Sequence, residues 1–225
     1  MSTIAIVGAG EGLGLAIAQT FGAHGFDVAL IARSPEKLAT LVERLSEDGI
    51  TAAAFPADVR DRGGLAQALK DAAARFGGID VLEYSPVSKG GGGGLASPAQ
   101  ATPEDFQREI DSQLLGAVAA TQAVLPAMRE AGAGTLLFTT GAGSVRPVPM
   151  LGNVNAAAAA LRNWAINLNQ ELTDTGIYAA HVAIDVSIDV AVIPGIPVAP
   201  ASSIAAAYWD LHVARDESEF IYSAG

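Results

Sequence analysis

The stretch Gly8-Ala9-Gly10-Glu11-Gly12-Leu13-Gly14 constrains the fold most, because it follows the apolar run 3–7 and opens an amphipathic stretch at 12–24. Four glycines in seven residues disfavour both helix and strand, so the chain turns sharply there. A strand that ends in such a turn and continues as a helix is the first half of a βαβ unit. Glycines let the backbone approach a pyrophosphate closely, and the free amides and positive end of the helix meet its charge. The candidate binding residues of this turn are Gly8, Gly10, Glu11, Gly12, Leu13 and Gly14.

The same change of period recurs along the chain. Short apolar runs at 27–32, 52–56, 79–83, 135–139, 178–184 and 219–223 read as further strands. The stretches 35–48, 62–76, 103–131, 151–173 and 203–215 read as helices. This alternation predicts an α/β fold, a doubly wound parallel sheet of about seven strands with helices on both faces. No repeat or linker divides the 225 residues, so 1–225 reads as a single domain.

Composition removes several function classes. A net charge of −11, with no basic cluster, repels phosphate backbones and anionic lipid, which argues against nucleic-acid and membrane partners. The absence of cysteine excludes disulfides, thiolate nucleophiles and Cys-ligated metals. His24, His181 and His212 are too scattered for a metal site, and none is expected. No apolar run reaches the roughly 18 residues that span a bilayer, and the N-terminus lacks a basic flank, so the chain is expected to be cytoplasmic.

In an open parallel sheet, ligands bind beyond the carboxyl ends of the strands. After the second strand, where an NAD-preferring protein offers an acid to the ribose, this chain has Ala32-Arg33-Ser34. Arginine makes charge-assisted bonds to a 2′-phosphate, which favours NADP(H) over NAD(H); alternatively Arg33 pairs with Glu36. Asp58 and Val59, past the third strand, are placed to flank the adenine, although an aspartate there also suits a helix cap. Residues 89–94, a lysine and five glycines, read as a surface connection or a substrate lid, and 193–203 is a second loop at the strand ends.

Together, the glycine turn, Arg33-Ser34, Ala57-Asp58-Val59, the run from Phe76 to Leu82, and the helix ending before Gly176-Ile177 resemble the short-chain dehydrogenase/reductase family. The resemblance covers essentially the whole chain and implies a single Rossmann-like domain. It also implies assembly as a homodimer or homotetramer through the two long helices after the fourth and fifth strands. Members of that family carry an Asn, Ser, Tyr and Lys tetrad. Matched to this chain, those positions hold Gln113, Gly141 (or Thr140 one residue earlier), Val154 and Ala158. The last lysine is Lys89 and no tyrosine lies between Tyr84 and Tyr178, so no register restores a Tyr-x-x-x-Lys pair on that helix. The family's Asn-Asn-Ala-Gly is also replaced, by Glu83-Tyr84-Ser85-Pro86-Val87, which leaves Tyr84, Ser85 and Pro86 as candidate cofactor contacts.

Several side chains are candidates for replacement chemistry. Tyr84 is a phenol at a strand carboxyl end and a candidate proton source; stacking on the cofactor or packing against the first helix is the structural alternative. Asp185 and Asp189 read as an acid and base pair or as capping and loop residues. Ser144, Arg146 and Arg162 are candidates to hold a carbonyl or anionic substrate, with a surface ion pair the alternative for Arg162. The run 156–160 reads as a small-residue helix face for close packing. The resemblance implies an NADP(H)-dependent oxidoreductase acting on a small or medium carbonyl or alkene. The departures leave two alternatives open, a non-catalytic NADP-binding protein and a non-redox isomerase or cyclase.

Overall fold

A computed structural model describes residues 2–87, 95–191 and 195–224. The loop at 89–94 lies outside the described residues. Seven strands form one sheet: β1 (Thr3–Val7), β2 (Asp27–Ala32), β3 (Ala52–Pro56), β4 (Val81–Tyr84), β5 (Gly134–Gly141), β6 (Ile177–Ile184) and β9 (Glu219–Tyr222). Their order is β3-β2-β1-β4-β5-β6-β9, and every pairing is parallel. A small ribbon of β7 (Ser187–Ile188) and β8 (Val198–Ala199) stands beside it.

Parallel strands buried on both faces need continuous apolar runs, and β1, Thr3–Val7, is buried at every position. On one face, Ile4, Ile6, Leu30 and Val182 pack with side chains of α1 (Leu13–Ala23), α2 (Pro35–Glu47) and α7 (Ala201–Ala214). On the other, Val7, Ile31, Leu136 and Phe138 pack with α3 (Arg62–Phe76), α5 (Gly116–Ala131) and α6 (Gly152–Glu171). The doubly wound arrangement expected from the alternation is therefore present. Among the described residues no helix is long and apolar enough to cross a membrane.

Three of the differences from the sequence expectation have a visible cause. Strand β4 begins at Val81 rather than 79, because Gly77 and Gly78 hold positive φ and Asp80 accepts the Thr3 amide at 2.7 Å before pairing starts. The stretch 103–131 is not one regular helix: α4 (Pro103–Glu109), held by a Thr102–Asp105 capping box, leads into a π-helical turn at Ile110–Leu115 and then α5. Helix α7 starts at Ala201, two residues early, because Asp189 reaches across from the β7 side and accepts the Ala201 amide at 2.8 Å. No residue adjacent to Ala201 carries that signal.

Candidate functional site

The carboxyl ends of β1, β2 and β4 meet at the glycine turn. Gly8 has φ +101°, and a Cβ there would lie 2.6 Å from the Pro86 nitrogen. The Gly8 and Ala9 amides both donate to the Ile31 carbonyl, at 2.9 and 3.1 Å, and so tie the turn to β2. Gly14 is close to Ala9, whereas a Cβ on Gly12 would meet no protein atom within 4 Å. Nothing in the protein's own packing requires glycine at 12. No side chain caps the first turn of α1; the Leu15 amide donates to the Gly10 carbonyl at 2.9 Å, and the helix start at Gly12 borders the space that a pyrophosphate would fill.

Around the β2 and β3 ends the alternatives separate. Glu36 accepts the Ser34 hydroxyl at 2.8 Å, and Ser34 also caps α2 by accepting the Lys37 amide. Arg33 is exposed and has no ion-pair partner among the described residues. Asp58 does not cap α3; Asp61 does, accepting the Gly64 amide at 3.1 Å. Asp58 instead forms a forked pair with Arg60 at 2.9 and 3.2 Å, which holds its carboxyl below the usual range. Val59 is half-buried, its carbonyl lying against Gly116.

Tyr84 requires correction. Its side chain is fully buried on the α5 side of the sheet, and its hydroxyl donates to the Ser112 carbonyl in the π-helical turn. A Cβ on Gly116 would overlap that hydroxyl. Glycine at 116 makes the space, and burial pushes the phenol well above its normal range. Tyr84 thus neither stacks on a cofactor nor packs on the first helix, and it has no route to deliver a proton.

Of the positions matched to the family's tetrad, Gly141, Val154 and Ala158 have no polar side chain. Gly141 is exposed, Val154 half-buried and Ala158 buried. Gln113 donates to Glu109 at 2.8 Å and to the Val154 carbonyl at 3.4 Å, which ties the π-helical turn to α6. Of the other candidates, Asp185 pairs with Arg146 and Asp189 caps α7, so the two carboxylates do not act together. Arg162 is committed to Glu219 and does not face the site as a free cation. Ala157 and Ala158 pack within the chain, while Ala156 faces outward.

Two polar networks escape a reading by motif. In the first, Ser144 is buried and its hydroxyl oxygen lies 2.9 Å from that of Thr140; Thr140 meets His181 Nε2 at 2.8 Å; and His181 Nδ1 meets Glu219 at 3.2 Å. The Glu219 carboxylate only accepts, which assigns the proton to Nδ1 and leaves Nε2 to accept from Thr140. Burial lowers the His181 pKa to about 4, so the ring is neutral. In the second, Glu83 is fully buried, with Thr139 Oγ1 at 2.8 Å and Ser85 Oγ at 3.0 Å from its two oxygens. Burial raises its pKa to about 8. The available signal was a lone carboxylate inside the apolar run 81–84 of a central strand, where it must be neutralised.

These two groups set opposite pH dependences. Glu83 keeps its proton up to about pH 8 when folded but only to about 4.5 when unfolded, so its contribution is full below 4.5 and is lost as pH rises toward 8. Unfolded His181 protonates below about 6.5 and the folded ring only near 4, so stability also falls as pH drops through that interval. Each slope is about 1.4 kcal/mol per pH unit. They offset between 4.5 and 6.5, and above 6.5 only Glu83 acts. Denaturant midpoints are expected to fall between pH 6.5 and 8 in the wild type and to flatten in Glu83→Gln. An equal slope in the variant would assign the loss to other groups.

An open parallel sheet with an uncapped, glycine-lined helix terminus at its switch region defines a dinucleotide-binding α/β protein. The family model described as short chain dehydrogenase matches residues 2–186. The chain belongs to the short-chain dehydrogenase family. It is 31% identical over 172 residues to an oxidoreductase, BOA17, of Botryotinia fuckeliana, covering 76% of this chain and 61% of that one. The chain therefore spans about three fifths of the length of this relative. It is likewise 31% identical to the NADP-dependent 3-hydroxy acid dehydrogenase YdfG of Salmonella typhi, over 80% of this chain and 70% of that one. Among solved structures, the L-sorbose reductase of Gluconobacter frateurii, complexed with NADPH and L-sorbose, superposes with a TM-score of 0.87 at 21% identity, covering 100% of this chain and 96% of that one.

Proposed function

We propose that the protein is an NADP(H)-dependent oxidoreductase of small or medium apolar carbonyls or alkenes, with residues 1–225 acting as one nucleotide-binding unit. The observation that carries this reading is the open space above Gly12 at a helix terminus that no side chain caps, with Arg33, exposed and without an ion pair among the described residues, just past the end of the neighbouring strand β2. The dinucleotide, when bound, supplies or accepts a hydride. The α1 amides hold its diphosphate, and Arg33 binds the 2′-phosphate that distinguishes NADP from NAD. Exposed Val87, Leu95, Val148, Met150 and Val190 follow the ends of β4, β5 and β6, an apolar rim suited to an apolar substrate and to excluding water. The cytoplasm and a dimer or tetramer through α5 and α6 complete the proposal.

Calorimetry is expected to show NADPH binding more tightly than NADH. Arg33→Ala is expected to weaken NADPH about tenfold to a hundredfold, the worth of one or two charge-assisted hydrogen bonds, while leaving NADH unchanged. Binding of neither nucleotide would remove the proposal. Gly141, Val154 and Ala158 specifically favour a second reading, nucleotide binding without catalysis. Single-turnover NADPH oxidation against a panel of apolar aldehydes, ketones and activated alkenes separates the two, since bound cofactor with no oxidation selects the second.

A further inference from the structure

We propose that Arg60 sets the preference for NADP(H) over NAD(H), because by occupying both oxygens of Asp58 it keeps that carboxylate from Arg33, whose guanidinium stays open to a 2′-phosphate; this rests on the NADP(H) reading above.

Arg33 and Asp58 stand at adjacent strand ends. Strands β2 and β3 pair in parallel up to Ala32 and Pro56, and the Ala57 amide donates to the Ala32 carbonyl at 3.0 Å, so Arg33 and Asp58 each come directly after that bonded pair. The Arg33 charge acts on the Asp58 carboxyl. Opposite charges so placed attract, yet Arg33 has no ion-pair partner among the described residues. Asp58 is already taken. One of its oxygens accepts Arg60 Nη2 at 2.9 Å, and the other accepts Arg60 Nε at 3.2 Å together with the Arg60 amide at 2.9 Å. The fork comes from two residues along the same turn, where closing it orders little extra chain. Of the other acids nearby, Glu36 accepts the Ser34 hydroxyl, and Asp111 of the π-helical turn acts on Arg60.

The pair adds little to the fold. Half of the Arg60 side chain and a third of that of Asp58 stand in solvent, and ion pairs so exposed contribute little to stability. Nor does Asp58 serve α3, which Asp61 caps. What the pair changes is the field at the end of β2. A 2′-phosphate brings nearly two negative charges, and a bare carboxylate beside Arg33 would both repel it and compete for the guanidinium. Held by Arg60, Asp58 does neither. At neutral pH an aspartate is ionised with or without a partner, so removing Arg60 uncovers a full negative charge. NADH has a hydroxyl in place of that phosphate; it feels no such repulsion and can donate to a freed acid.

Calorimetry on the full chain with NADPH and with NADH reads the ratio of the two affinities. Arg60→Ala is expected to weaken NADPH about tenfold, the scale of one like-charge contact at a partly exposed site, while NADH holds or tightens and the denaturant midpoint stays near wild type. Raised salt should shrink that loss. Arg60→Lys keeps the charge and is expected to keep most of the ratio. Asp58→Asn placed in the Arg60→Ala background removes the uncovered acid and is expected to return the ratio to that of the wild type. An unchanged ratio in Arg60→Ala, equal losses of both nucleotides, or no recovery in the double variant overturns the role of Arg60 and leaves the NADP(H) reading standing. A wild type that binds the two nucleotides equally overturns both.

Discussion

Replacing Gly8 by alanine is expected to abolish nucleotide binding and to destabilise the fold by about 2–5 kcal/mol. Two causes act together. A side chain at φ +101° is strained, and its Cβ would press on the Ser85–Pro86 backbone, which cannot yield as a flexible side-chain tip can. Gly12→Ala separates folding from binding, because its Cβ enters open space at negative φ. Denaturant unfolding should place Gly12→Ala near the wild type, while calorimetry should find its NADPH affinity lost. Wild-type affinity in that variant would mean that no ligand approaches the backbone there.

The second large effect lies at the floor of the sheet. Gly116→Ala forces its methyl into the Tyr84 hydroxyl, and overpacking of a filled core typically costs about 1–3 kcal/mol. Tyr84→Phe removes the obstructing oxygen, so the double variant is expected to regain most of the loss, a coupling that melting or denaturant curves measure directly. Tyr84→Phe alone gives up one buried hydrogen bond, about 1 kcal/mol, and leaves the Ser112 carbonyl without that donor. It should also keep NADPH oxidation intact. Loss of oxidation without loss of stability would restore Tyr84 to a chemical role.

The parts of the molecule legible in the sequence are those whose cause is local. Strands 3–7, 27–32 and 52–56 and helix 62–76 stand where hydrophobic period and turn residues place them, since each run carries its own breakers. The glycine turn was legible for the same reason. Stretch 103–131 misled because its π-helical turn answers to Tyr84, a residue on another element, and helical periodicity contains no trace of that partner. The start of α7 misled in the same way, since its cap is twelve residues distant. At the site, Arg162 and Asp185 carry the right chemistry in the sequence but are neutralised by Glu219 and Arg146, pairings that only the closed sheet brings about. His181 is weighed in the sequence only as a metal ligand and Glu83 only as part of a replaced segment, because a motif search asks which residues recur together. The pressing question for each was how a polar group survives inside a fully apolar strand.

Asp189 holds φ +60°, its amide donates to Ala199 at 2.9 Å, and its carboxylate receives the Ala201 amide. One residue therefore fastens the end of β7, the end of β8 and the start of α7 at a common knot. Closing a longer chain between fixed ends costs little, about 0.6 kcal/mol per doubling of its length. A change in the length or sequence between those two ends therefore leaves the start of α7 with its footing.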